Sequence, residues 1–240
     1  MASKLLNELL ENQNDLTSVL KKLRYIAQML ENQELVSWID KEIGGYNGED
    51  KLPEYRLFKA LTLNFTGLKG NMVVNDVPLL PDYFQDEELK KEMKNTLTQN
   101  IRISISEIER KIKEKKDLLI DYSFLSDMLS FDTNMGIFAS HIYLKIPIAK
   151  LCEIQNKVFN KIQDILIELE KSIGADKLNS LTMEDVNKKE IERMNQKIEV
   201  IVKNEETSMS KKDRKMNKFS LCVTIISSVI TIISIVLAFF

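Results

Sequence analysis

The sequence has one histidine, two cysteines and seven glycines in 240 residues. A lone His141 excludes paired-histidine zinc motifs and leaves any catalytic triad dependent on a single imidazole. The glycines form neither G-x-x-x-x-G-K-[ST] nor G-x-G-x-x-G, so no phosphate loop of either kind is written in the chain. Cys152 and Cys222 lack metal-ligand spacing. They lie in a polar and an apolar segment respectively and are not expected to pair. Carboxylates are abundant but sit in mixed charge runs, the pattern of a solvated face. The chain therefore reads as a non-enzyme, with no cofactor and no metal expected.

A strong charge of one sign is also missing. The formal net charge is −2. One run, Lys211, Lys212, Arg214, Lys215 and Lys218 with Asp213, carries a local +4, so subtracting it from the −2 of the whole leaves −6 for residues 1–210. A mildly acidic body argues against a broad nucleic-acid surface.

What is present in quantity is hydrophobicity at one end. Residues 219–240 contain no charge, no Gly and no Pro. As a helix they would rise about 33 Å, close to the ~30 Å hydrocarbon core of a bilayer, so a C-terminal transmembrane helix is expected. The basic run beside it predicts a tail-anchored, single-pass protein of the bacterial inner membrane, with its N-terminal part cytoplasmic. The opening residues lack the pattern of a signal peptide. Within the apolar segment Ser220, Thr224, Ser227, Ser228, Thr231, Ser234 and Ala238 fall on one arc of a helix. Such a stripe has three readings: hydroxyls bonded to their own helix, tight packing of a homo-oligomer, or the lining of a pore.

Along the rest of the chain, apolar spacing predicts helical residues 3–30 with a break near 12–14. A second helix, capped by Asn32, buries Leu35, Trp38, Ile39 and Ile43 and stops at Gly44-Gly45. Alternation from Arg56 through Leu61, Leu63 and Phe65 predicts a strand, with a return through 71–77 as a hairpin. A polar helix is expected over 82–98, and Ser106 with Glu109 reads as the capping box of a helix running to Ile120. Residues 137–146 alternate as a strand, with Phe138, Ser140, Ile142, Leu144 and Ile146 inward. A long helix follows Pro147 to Gly174, and Thr182 is expected to cap a further one. On the outward face His141, Tyr143 and Lys145, together with Tyr55, Arg56 and Lys59, would make a basic and aromatic surface suited to a nucleotide or phosphate, if the two strands are neighbours. An ordinary exposed sheet face is the alternative.

Several elements resemble the AbiTii domain, a bacterial module associated with abortive infection. They are Leu20 to Arg24, Asn32, Glu34-Leu35, Trp38-Ile39, Glu42-Ile43-Gly44-Gly45-Tyr46 and Leu52-Pro53-Glu54-Tyr55-Arg56. Gly67, Pro78, Pro81, Lys157 to Lys161, Leu166 and Leu169-Glu170 follow. The resemblance covers roughly residues 1–175 and implies a role in defence against phage. It carries no catalytic residues to transfer.

The expected architecture is α+β: a mostly helical cytoplasmic domain with one small antiparallel sheet (1–175), a helical stalk and basic linker (176–218) and a membrane helix (219–240). The expected function is that of a membrane effector, its sensor domain controlling a homo-oligomeric bundle that permeabilises the membrane. A nucleotide or oligonucleotide from a partner nucleotidyltransferase would be the signal. The alternative is a membrane-tethered scaffold or adaptor.

Overall fold

A computed structural model describes residues 3–11, 15–60, 62–84, 86–93, 97–129, 136–180 and 188–203. These fall into two compact units. Unit 1 comprises residues within 1–58, 100–118 and 146–207; the described part of unit 2 lies within 59–99 and 119–145.

Unit 1 is helical: α1 (Lys4–Glu11), α2 (Leu16–Met29), α3 (Gln33–Gly44), α5 (Ile105–Lys113), α6 (Ile148–Ile173), α7 (Ala175–Ser180) and α8 (Lys188–Lys203), with a 3-10 turn at Glu54–Arg56. Apolar stripes at helical spacing dictate the packing. Leu151, Ile154, Val158, Ile162, Ile165, Leu166 and Leu169 of α6 are all buried, as are Leu16, Val19, Leu20 and Leu23 of α2, and α6 packs on α8, α5, α1 and α2. Each such side chain contributes about 1.5–3 kcal/mol on leaving water. Helix ends are capped as the sequence foretells at Asn32, whose side chain accepts from the Leu35 amide at 3.0 Å. On α5 the cap is Ser104 and not Ser106. Glu109 instead reaches α2, accepting from the Leu16 amide at 2.6 Å and the Thr17 hydroxyl at 2.9 Å.

The strands are β1 (Leu57–Ala60), β2 (Leu63–Lys69), β3 (Met72–Leu79), β4 (Leu97–Asn100), β5 (Leu118–Asp121) and β6 (Ile137–Ile146); α4 (Glu87–Met93) precedes β4. They form a two-stranded sheet, β1-β4, and a four-stranded sheet in the order β3-β2-β6-β5. The helix expected over 82–98 is thus shorter and is followed by a strand. The helix expected to reach Ile120 ends at Lys113, and Lys115 takes a left-handed φ of 54° before β5. Unit 2 buries Leu63, Phe65, Leu79, Phe84, Ile142 and Leu144, with Phe65 and Tyr83 edge to face at 6.5 Å.

Strict alternation in β6 fails at one place. The ladder to β2 shifts register between Thr66 and Gly67, so Thr66 faces His141 while Gly67 faces Ala139. Ser140 is the extra residue, and its hydroxyl donates to Thr66 O at 2.9 Å. The bulge turns Ala139 inward and Phe138 and Ser140 outward, while Ile142, Leu144 and Ile146 face inward as expected.

The expected architecture is therefore corrected. There are two small sheets where one was expected. In place of a stalk, α8 packs on α3 and α6 within unit 1, burying Met194, Ile198 and Val202. Asn195 donates to Leu30 O at 2.9 Å and accepts from Asn32 Nδ2 at 3.1 Å. Among the described residues no helix is long and apolar enough to cross a membrane. The longest, α6, carries a charged face that includes Lys150, Glu153 and Lys157. The basic run 211–218 and the hydroxyl stripe from Ser220 to Ala238 lie outside the described residues, as does Thr182.

Candidate functional site

The largest concentration of polar chemistry in unit 1 is buried. Glu42 lies on α3 at the same face as Leu35, Trp38 and Ile39, seven, four and three residues on, so the helix carries its carboxylate into the core. Pro53 leads into the 3-10 turn that presents Tyr55 and Arg56 to it. Glu42 and Arg56 form an ion pair with both side chains 0% exposed. Arg56 Nη2 donates to Glu42 Oε2 and Nε donates to Oε1 at 3.3 Å. Nη1 donates to the carbonyls of Ile101 at 3.1 Å and Ile103 at 2.8 Å. Glu42 Oε1 also accepts from the hydroxyls of Tyr46 at 2.6 Å and Tyr55 at 2.7 Å.

Aromatic rings close the cluster. The Arg56 guanidinium sits 4.7 Å from the centre of the Tyr46 ring. Trp38 Nε1 donates to the Tyr55 hydroxyl at 3.2 Å. Lys161, brought inward by its place in the α6 stripe, holds its ammonium 5.4 Å from the Trp38 ring centre and 5.5 Å from that of Tyr55. It donates to Val202 O, near the end of α8, at 3.1 Å. Gly45 makes the arrangement possible: its φ of 87° turns the chain so that the Tyr46 amide bonds Arg102 O at 2.8 Å, and a Cβ on Gly45 would lie 2.8 Å from that same oxygen.

Electrostatics act in definite directions on the two tyrosines and the arginine. Burial, and then the Glu42 charge, push the Tyr46 and Tyr55 hydroxyls far above the ordinary range, so both remain donors. Burial opposes the Arg56 charge, but attraction to Glu42 and the hydrogen bonds between them outweigh it and raise the guanidinium. Each member is engaged with another part of unit 1. The cluster fixes the geometry of the elements that meet in it. A surface cavity of about 460 Å³ lies over Tyr55, lined also by Glu54, Lys150, Glu153, Lys157 and Asn160.

Of the residues foreseen as a ligand surface, Tyr55 and Arg56 thus sit in the core of unit 1. Burial removes them from the exposed face, and β1, which follows them, pairs with β4 and not with β6. Lys59 is exposed on β1. His141, Tyr143 and Lys145 do share the outward face of β6 in unit 2. There Asp76, at φ 54° in the β3 bulge, collects two of them and Asn64: Lys145 Nζ donates to its carboxylate at 2.6 Å, the Tyr143 hydroxyl at 3.1 Å and Asn64 Nδ2 at 2.6 Å. The basic character foreseen for this face is therefore largely compensated by an acid that alternation along β6 alone does not reveal.

The Lys145 hydrogen bond, then that of Asn64, hold the Asp76 carboxyl below its usual 3.8. A depressed folded-state value means that Asp76 stabilises above the unfolded value and loses that contribution as pH falls through the folded one. Proton titration by NMR should place its midpoint below that of a free aspartate, and Lys145→Met should raise it. An unchanged midpoint in Lys145→Met would break the assignment of Lys145 as the principal partner.

The residues that converge on the buried cluster, Trp38, Glu42, Gly45, Tyr46, Tyr55 and Arg56, are among those that carry the resemblance noted in the sequence. Comparison with curated proteins yields no match, and neither does comparison with solved structures. The AbiTii family model matches residues 1–197, reaching into α8, and the chain belongs to the AbiTii family.

Proposed function

We propose that the chain is a membrane-directed effector of abortive infection, in which unit 1 is a rigid framework and the segment beyond α8 acts at the inner membrane as a homo-oligomer. AbiTii membership supports the anti-phage role. The internal bonding of the Glu42–Arg56 cluster supports an architectural role for unit 1. The densest polar centre of unit 1 is engaged internally, so its chemistry supports architecture. The membrane part of the reading rests on the basic run 211–218 and the uncharged residues 219–240.

Control by a nucleotide or oligonucleotide would use the β6 face of unit 2 by exchange: a phosphate replaces the Asp76 carboxylate beside Lys145 and Tyr143, with His141 alongside. Deleting 219–240 tests the reading. The truncated chain is expected in the soluble fraction, with loss of protection in phage plating and no collapse of membrane potential in a dye assay during infection. Full protection by the truncated chain would defeat it.

A further inference from the structure

We propose that α8 is a detachable latch, which docks on unit 1 to restrain the chain beyond Lys203 and undocks to release it. The inference rests on the membrane reading above and adds the element that controls it. α8 stands where such control can act: it ends at Lys203, and the basic run 211–218 and the uncharged residues 219–240 follow. Its docking is also shallow. α8 buries three of its sixteen residues, Met194, Ile198 and Val202. α2 buries six of fourteen, α3 four of twelve and α6 ten of twenty-six. Apolar burial is the main force that holds a helix in a domain, so α8 is the least firmly held of these four. Elements with few buried apolar contacts open on their own while the rest of the fold persists.

The polar links of α8 run through side chains at particular points. Midway along the helix, Asn195 bonds Leu30 O and Asn32. Lys197 pairs with Glu168 of α6 at 2.6 Å. Two contacts converge on the last turn. Lys161 of α6 donates to Val202 O at 3.1 Å. A buried ammonium thus meets a carbonyl that helix geometry leaves unpaired, at the negative end of the helix dipole. Lys203 pairs with Glu34, in the first turn of α3, at 3.3 Å, and both side chains are 49% exposed. Exposed ion pairs of this kind add little stability; they set where the helix end lies. The chain is therefore pinned at the point where it leaves unit 1, by bonds that undocking exchanges for water.

Tether length converts docking into restraint. With the basic run on the bilayer surface, only residues 204–210 separate it from the docked helix end. Seven residues reach about 25 Å at full extension, so a docked α8 keeps unit 1 close against the membrane. Membrane helices in a bundle pack ~8–10 Å apart, and a helical body the size of unit 1 is several times wider. Such bodies, held close to the surface, crowd one another and keep their membrane segments apart. Undocking adds the sixteen residues of α8 to the tether, about 24 Å if they stay helical. The bodies can then stand off and the segments can meet.

Asn195→Ala with Lys203→Glu removes two of the links from α8 itself and leaves α3 and α6 unaltered. In the full-length parent, hydrogen exchange at amides 194–202 of α8 should run at least tenfold faster than at 158–166 of α6. The double variant should speed α8 exchange at least tenfold again, with α6 unchanged. Reconstituted in potassium-loaded vesicles of phosphatidylethanolamine and phosphatidylglycerol, the variant should release the ion at least tenfold faster than the parent. Glu168→Cys and Lys197→Cys, added to it with Cys152→Ser and Cys222→Ser, allow α8 to be bridged to α6 by a short reagent that reductant cleaves. The bridge should return release to the parental rate, and reductant should undo that. Exchange in α8 as slow as in α6 in both chains overturns the latch. So does equal release by variant and parent, or release that the bridge does not slow; the membrane reading survives either result. No release from any chain overturns the membrane reading itself, and the latch falls with it.

Discussion

Arg56→Ala should destabilise unit 1 by roughly 3–5 kcal/mol, the usual loss when one member of a buried ion pair is removed. The loss has several parts. Glu42 would keep a buried charge with only the Tyr46 and Tyr55 hydroxyls for company, and the carbonyls of Ile101 and Ile103 would lose their donor. The Tyr46 ring would also lose the guanidinium stacked on it. Arg56→Lys should recover little, because an ammonium cannot bridge both carboxylate oxygens and two carbonyls from one plane. Glu42→Gln should be nearly as damaging, since it keeps the size but strands the positive charge. Thermal unfolding of the full chain, with hydrogen exchange at the α3 amides, reads the effect. An Arg56→Ala protein with the parent's melting temperature and α3 protection would mean that the pair does not hold unit 1 together. A ligand-binding role for Arg56 predicts the opposite: a normal fold with altered response.

This cluster shows where sequence reading succeeds and where it stops. The apolar stripes of α2, α3 and α6 were legible because helical spacing repeats over many residues, and each stripe found a neighbouring stripe. Trp38 as core and Gly45 as helix stop followed from the same local logic. The pairing of Glu42 with Arg56 was not legible, because it joins a helix to a 3-10 turn across a loop that periodicity does not describe. A signal did exist. Glu42 stands seven residues after Leu35 on the apolar face, and Lys161 stands within the stripe of Val158, Ile162 and Ile165. A charge at an inward position predicts a buried partner. Alternation alone places Arg56 on a strand surface, since it cannot tell a buried guanidinium from a solvated one.

The outward residues of β6 were half legible for a related reason. His141, Tyr143 and Lys145 lie past the bulge, where simple alternation holds. Phe138 lies before it, where one extra residue reverses the phase. Asp76 belongs to another strand and reaches the face through its own irregular backbone.

Gly67→Ala should be among the most damaging single-atom additions in unit 2. A Cβ at Gly67 would lie 2.0 Å from Phe138 O and 3.0 Å from Ala139 Cα, and both are backbone atoms of the paired strand. A flexible side chain could swing away; a ladder of hydrogen bonds cannot. The bulge exists because Gly67 lets β6 approach this closely while Ser140 loops out. Relief therefore requires β2 and β6 to separate at the bulge or to slip by one residue. Slippage would send Ile142 and Leu144 outward, exposing the core of unit 2. The expected loss is at or above the roughly 3 kcal/mol upper end of ordinary overpacking. Gly44→Ala is the matched control, because a Cβ there meets nothing within 4 Å and the residue lies in α3. It should be neutral or stabilising by up to about 1 kcal/mol through helix propensity. Hydrogen exchange at Phe65 and Ile142 and thermal unfolding would be measured on both variants. Gly67→Ala with parental protection at those amides would show that the strands tolerate a methyl group there, and the account of the bulge would fall.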